Sequence, residues 1–75
     1  MALNYAYNYA EIDNATRMCI GVMTSTSDDL AGPTSMDSTY VEIPVYDEEY
    51  SFKYYIDGNW YEDAEGTIPW TSSLI

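Results

Sequence analysis

The sequence contains no histidine, and its only cysteine is Cys19. A zinc site of the usual Cys/His kind and an internal disulfide are therefore both excluded. Because no histidine base is available to activate the thiol, Cys19 is expected to be a small buried apolar residue. The chain has no recognisable metal-ligand spacing, nucleophile–base pair or glycine-rich phosphate loop. We therefore expect a protein that is not an enzyme and holds no cofactor.

Positive charge is scarce as well. Arg17 and Lys53 stand against 13 acidic residues, which gives a formal net charge of −11. A basic patch for nucleic acid is therefore not expected. No apolar run approaches the length of a membrane span, and the N-terminus lacks the basic and apolar regions of a signal peptide. The sequence predicts neither a nucleic-acid partner nor a membrane partner.

The length of 75 residues allows one domain. A chain this short buries only about 60% of the surface that its unfolded form exposes, so its own core gives marginal stability. Small domains usually add a disulfide, a metal or a partner. With the first two excluded, contact with other polypeptides is the expected supplement.

Aromatic residues are what the chain has in abundance, above all between Tyr46 and Asp63. Ser51–Ile56 is rich in aromatic and β-branched residues and predicts a strand that includes Phe52. Asp57-Gly58 favours a type I′ turn, and Asn59–Glu62 would form the returning strand. The stretch predicts a β-hairpin.

Two further strands are predicted at the N-terminal end. Leu3–Ile12 alternates strictly, with three tyrosines on one face and small residues on the other, so that it could lie between two covering layers. Asp13–Thr16 predicts a turn by Asx chemistry, and Arg17–Thr24 predicts the second strand. Gly21 indicates a bulge or a close backbone approach in that strand.

The middle of the chain predicts a loop over Ser25–Ser38 and a third strand over Thr39–Val45, with Pro44 near its end. Tyr46–Tyr50 would form a turn or one helical turn, with its acidic side chains outward. The expected fold class is mainly β, a small antiparallel meander of about five strands with an extended C-terminal tail. Residues 1–62 would be the β domain and residues 63–75 the tail.

The tail carries more apolar residues than are easily left in water. It would pack across its own sheet or insert into a neighbouring chain, and the small size of the chain favours the neighbour. The three tyrosines of the first strand would either pack in the core or form a contact between subunits. The predicted partner-binding residues are Tyr5, Tyr7, Tyr9, Trp60, Ile68 and Trp70.

Several short motifs carry a family resemblance across about Tyr7 to Glu62. They are Tyr9–Asp13 (YAEID), Cys19–Val22 (CIGV), Glu42–Pro44 (EIP), Tyr46–Tyr50 (YDEEY) and Lys53–Trp60 (KYYIDGNW). This pattern resembles small proteins and C-terminal modules of bacteriophage structural gene clusters, and the acidic, tyrosine-rich composition is similar to proteins of phages that infect cyanobacteria. The resemblance implies a virion component, assembled in the host cytoplasm, that binds capsid or tail subunits in many copies. Self-association or multi-copy assembly of the chain is expected with it.

Two other functions remain open. An acidic, phage-encoded inhibitor could mimic nucleic acid and block a basic host protein through the carboxylates of Asp28, Asp29, Asp47, Glu48 and Glu49. A fibre module could bind carbohydrate on an aromatic platform made of Tyr54, Trp60 and Tyr61.

Overall fold

The computed structural model describes residues 7–75, which form a mainly antiparallel β structure and confirm the predicted fold class. The elements are six strands and one 3-10 turn: β1 (Tyr7–Asp13), β2 (Cys19–Ser25), β3 (Gly32–Pro33), β4 (Ser38–Ile43), the 3-10 turn (Glu48–Tyr50), β5 (Tyr54–Ile56) and β6 (Asn59–Tyr61). No helix in this part of the chain is long and apolar enough to cross a membrane.

The strand order differs from that of a meander. β1 lies in the middle of a four-stranded sheet with the order β2-β1-β4-β3, and it pairs antiparallel with both β2 and β4. The chain must therefore cross from one side of β1 to the other after β2. The connecting segment, predicted as a loop throughout, adds the short strand β3 beside Tyr40 and Thr39 of β4. The predicted pairings of β1 with β2 and of β5 with β6 are confirmed.

β1 is buried on both faces, as its small second face suggested. Ala10 and Ile12 belong to the hydrophobic core, together with Cys19, Ile43 and Tyr50. Tyr9 points to the opposite face, where its hydroxyl donates a hydrogen bond to the carbonyl oxygen of Ser27, at 2.8 Å. The segment after β2 thus covers the second face. Burial raises the pKa of the Tyr9 hydroxyl.

The turn between β1 and β2 has the predicted Asx chemistry. One carboxylate oxygen of Asp13 accepts the backbone N–H of Ala15, at 2.8 Å, and that of Thr16, at 3.1 Å. The register then slips by one residue, so that Ile20 is left out of the ladder. The slip confirms the bulge predicted from the neighbouring Gly21.

Hydrogen bonds continue from the start of β2 into the chain before β5. The carbonyl oxygen of Cys19 accepts the N–H of Phe52, and the N–H of Cys19 donates to the carbonyl oxygen of Lys53, both at 2.8 Å. The N–H of Tyr55 donates to the carbonyl oxygen of Arg17, at 2.9 Å. The two sheets are therefore connected through the outer edge of β2.

Several strand boundaries differ from the prediction, and the end of β4 and the start of β5 have a clear physical reason. β4 ends at Ile43, directly before Pro44, because proline cannot donate to the ladder. Phe52 was predicted inside the hairpin strand, but it lies before β5 with a φ of 74°. The backbone turns there to reach Cys19. The hairpin turn has positive φ at Asp57 and Gly58, 51° and 84°, as a type I′ turn requires.

Candidate interaction surface

The C-terminal tail docks on its own chain. Pro69 lies opposite Tyr61 in an antiparallel bridge. On either side of it, the N–H of Glu62 donates to the carbonyl oxygen of Ile68, at 2.8 Å, and the N–H of Trp70 donates to the carbonyl oxygen of Trp60, at 3.0 Å. The sequence favoured insertion of the tail into a neighbour. Residues 68–70 instead run antiparallel beside β6, with one isolated bridge at Pro69 and two backbone hydrogen bonds that satisfy groups of Trp60 and Glu62.

Pro69 protects the outer edge of residues 68–70. Because Ile68 and Trp70 direct their bonding groups towards β6, the backbone nitrogen of Pro69 lies on the opposite, outer edge. Proline has no N–H, so this edge lacks a donor where a further strand would need one. Any partner on this side is expected to use side chains rather than strand addition.

The loop that returns the tail to β6 is closed by the carboxylate of Asp63. This carboxylate accepts the backbone N–H of Thr67, at 2.9 Å, and that of Ile68, at 3.0 Å, as well as the Thr67 hydroxyl. The hydrogen bond from this hydroxyl is the main reason why the pKa of Asp63 lies below its ordinary value. Gly66 supplies the positive φ, 70°, that the loop requires.

A second carboxylate holds the end of the tail. Asp47 was predicted to point outward, but it is buried. It accepts the N–H of Glu49 at 2.9 Å, which caps the 3-10 turn, and the hydroxyl of Ser72 at 2.5 Å. A buried carboxylate requires such donors. Asp47 therefore links the segment after β4 to the tail.

Aromatic rings fill the space between the 3-10 turn, the hairpin and the tail. The ring of Tyr50 lies edge-on to Trp60 and to Trp70, with both centroid distances 4.8 Å. Tyr55 packs on Trp60 from the opposite strand, at 5.0 Å, and the ammonium group of Lys53 lies 5.2 Å from the ring centre of Trp70. These edge-on contacts are the favourable arrangement for aromatic pairs.

A small groove of about 160 Å³ opens beside this cluster, and we call it the aromatic groove. The residues that line it are Pro44, Tyr50, Trp60, Trp70, Thr71, Ser72 and Ile75. The end of the tail forms one side of the groove. Leu74 and Ile75 remain largely exposed there, and Ile75 shows 69% of its surface to solvent.

The predicted partner-binding residues have different positions. Trp60 and Trp70 are brought together in the aromatic groove, and Ile68 is exposed on the tail. Tyr9 is fully buried and Tyr7 half-buried, while Tyr5 lies outside the described residues. The burial of Tyr9 follows from the segment that covers β1, and it removes this side chain from the surface.

Sequence reasoning missed Tyr50 and Phe52. Tyr50 follows two acidic residues in a turn, where no periodicity marks a core position, yet it is 2% exposed. Phe52 is the opposite case. Its aromatic neighbours suggested that it is packed in a strand, but its side chain is 73% exposed. The positive φ at Phe52 gave no sequence signal, because such conformations usually occur at glycine, asparagine or aspartate.

The predicted carbohydrate platform is not a single surface. Tyr54 and Tyr61 are cross-strand partners on one face of the hairpin, whereas Trp60 pairs with Tyr55 on the other face. A shallow depression of about 460 Å³ does lie between β6 and the tail. Its lining includes Trp60 and Tyr61, but successive side chains of a strand point to opposite faces, so their rings do not form one stacking plane.

Charged groups are mostly solvated. Within residues 7–75 the one ion pair joins Lys53 to Glu62, at 3.5 Å, and no cluster of metal-ligating side chains occurs in that range. The carboxylates of Asp28, Asp29, Glu48 and Glu49 are exposed.

Comparisons with protein-family models, curated proteins and solved structures give no significant match for this chain.

Proposed function

We propose that this chain is a non-enzymatic structural or accessory protein of a phage virion, which binds capsid or tail subunits in many copies. The observation that carries the proposal is the aromatic groove with Leu74 and Ile75 exposed beside it. The sequence resemblance to phage structural modules supports the same function.

The groove has the composition of a protein interface. Rigid rings supply much contact area at little entropic cost, and interfaces are enriched in tyrosine and tryptophan at their centre. Trp60 and Trp70 are already fixed by Tyr50, so they lose little freedom when a partner covers them. Exposed aliphatic side chains on the tail would supply the apolar area that this small chain does not bury itself.

Mass spectrometry of purified particles tests the proposal. The chain should be present in many copies per particle. A host that supplies a Leu74→Ser, Ile75→Ser variant to a phage lacking the gene should yield particles with at least tenfold less of the chain. Met36→Ser is the matched control, because Met36 is 94% exposed on the loop before β4 and does not line the groove. Absence of the wild-type chain from particles would overturn the proposal.

A second candidate is the acidic inhibitor of a basic host protein. It is favoured by the four exposed carboxylates of Asp28, Asp29, Glu48 and Glu49, none of which belongs to the ion pair described above. Asp47 is no longer part of this set, because it is buried and bonded to Ser72. Such a complex should weaken steeply as salt rises, so a complex that survives high salt would contradict this function.

A further inference from the structure

Phe52 combines an unfavourable backbone with an exposed side chain. Its φ of 74° lies in the left-handed region, which costs a non-glycine residue free energy, and the ring is 73% exposed. Two other non-glycine residues among residues 7–75 have positive φ. Asp57 lies in a type I′ turn, where aspartate is common, and Arg17 donates from its guanidinium group to the carbonyl oxygen of Tyr55, at 3.1 Å.

Phe52 gains no comparable internal contact. Its ring is mostly in solvent, so the chain bears both the strain and the exposed apolar area without burying the side chain. Glycine or asparagine would serve the same backbone conformation at lower cost. An aromatic residue at such a place is explained if the ring is used between molecules rather than within one.

The backbone around Phe52 is fixed in place. The N–H of Phe52 donates to the carbonyl oxygen of Cys19, at 2.8 Å. The N–H of Lys53 donates to the carbonyl oxygen of Tyr50, at 3.0 Å. The residue after Cys19 is the bulged Ile20, which is 49% exposed. Two exposed apolar side chains thus flank one backbone hydrogen bond, on a rigid support that preorganises them for binding.

The charge near this site is negative. Glu48 and Glu49 lie in the 3-10 turn shortly before Phe52 and are exposed, and the net charge of the chain is −11. The positive charge of Lys53, the residue after Phe52, is paired with Glu62 at 3.5 Å. A second copy of the chain, an anionic membrane and nucleic acid would all be repelled. The complementary partner is a protein surface with an apolar pocket and basic residues at its rim.

We propose that Phe52 is an anchor residue, with Ile20 beside it, which inserts into an apolar pocket of another virion subunit, and that lysine and arginine side chains line the rim of this pocket. The inference rests on the proposed virion function and names a contact outside the aromatic groove. Anchors of this kind dominate the binding energy of protein interfaces.

The experiment compares stability and incorporation for the same variants. Phe52→Gly relieves the strain and should raise the melting temperature of the purified chain by roughly 4 °C. The same variant, supplied to a phage lacking the gene, should reduce the copies per particle at least tenfold. Phe52→Tyr retains the ring and should incorporate like wild type. Asp57→Gly is the matched control, since it also replaces an exposed positive-φ residue and should leave incorporation unchanged.

The rim charge is tested separately. A Glu48→Lys, Glu49→Lys variant should incorporate several-fold less than wild type, because it places positive charge against a basic rim. Unchanged incorporation would show that the pocket is not basic and overturn that part of the proposal.

The outcomes separate the inference from the proposed function. Wild-type incorporation of Phe52→Gly overturns the anchor and leaves the virion function intact. A lowered melting temperature of Phe52→Gly overturns the argument from strain. Absence of the wild-type chain from particles overturns the virion function and the anchor with it.

Discussion

The four-stranded sheet and the hairpin with its tail are stabilised by different contacts. In the first, β1 pairs along most of its length with β2 and β4, and aliphatic side chains such as Ile12 fill the core. In the second, β5 and β6 are three residues each. Aromatic rings and two carboxylates, those of Asp47 and Asp63, hold this region together.

The difference implies that the hairpin region depends on the sheet. A two-stranded hairpin alone is at best marginally stable in water. Here it is supported by hydrogen bonds to the start of β2, by the backbone hydrogen bonds of the tail to Trp60 and Glu62, and by Tyr50, which belongs to the common core. Local opening is therefore expected to begin at the tail and to reach the sheet last.

The largest expected effect comes from Tyr50→Ala, since Tyr50 contacts both regions. Loss of a buried aromatic ring costs about 3–5 kcal/mol. A chain of this size has a total stability of the same order, so the variant should be largely unfolded at room temperature. Circular dichroism and urea titration measure this. Tyr46→Ala is the control, because Tyr46 is exposed in the same segment and should cost little. A stable, cooperatively folded Tyr50→Ala chain would contradict the central role of this ring.

Trp70→Ala should have a smaller effect, confined mainly to one region. Trp70 is partly buried on Tyr50, and its removal should cost about 2 kcal/mol, less than a fully buried ring. Amide exchange should accelerate at Glu62 and at position 70, because the N–H groups of these two residues form the hydrogen bonds between β6 and the tail. The amides of β1 should keep their protection. Equal acceleration in both regions would show that they open as one unit, and Trp70→Phe should restore most of the protection.

Ser72→Ala tests the link between the tail and the segment after β4. It removes the hydroxyl that bonds to the buried carboxylate of Asp47 and should cost about 1–3 kcal/mol, because a buried acceptor is left short of a donor. Urea titration measures the change. Ser73→Ala alters the exposed neighbour and should be nearly neutral. If the two variants were equally stable, the Asp47–Ser72 hydrogen bond would contribute nothing measurable.

How much of this could be predicted from the sequence depends on the range of the determining contacts. The hairpin turn at Asp57 and the Asx turn at Asp13 are local, so residue types were sufficient. Other features join residues far apart in sequence, namely the crossover from β2 to β4 and the hydrogen bond from the Ser72 hydroxyl to the Asp47 carboxylate. No pattern in one sequence specifies such pairs. Of the residues that line the aromatic groove, the sequence singled out Trp60 and Trp70 as candidate contact residues, and their role in binding stays a prediction.

The smallest expected effect is the acid response of the loop at Asp63. Hydrogen bonds, chiefly from the Thr67 hydroxyl, lower the pKa of this carboxyl in the folded chain below its ordinary 3.8. A lowered pKa means that the ionised form stabilises the fold. The contribution is therefore complete above pH 3.8 and is lost as the pH falls through the lower, folded value. Amide exchange at Thr67 and Ile68 should accelerate on acidification in that range, before the amides of β1 respond. Asp63→Asn cannot titrate and should show no such step, so an identical acid response in this variant would mean that another carboxyl controls the tail.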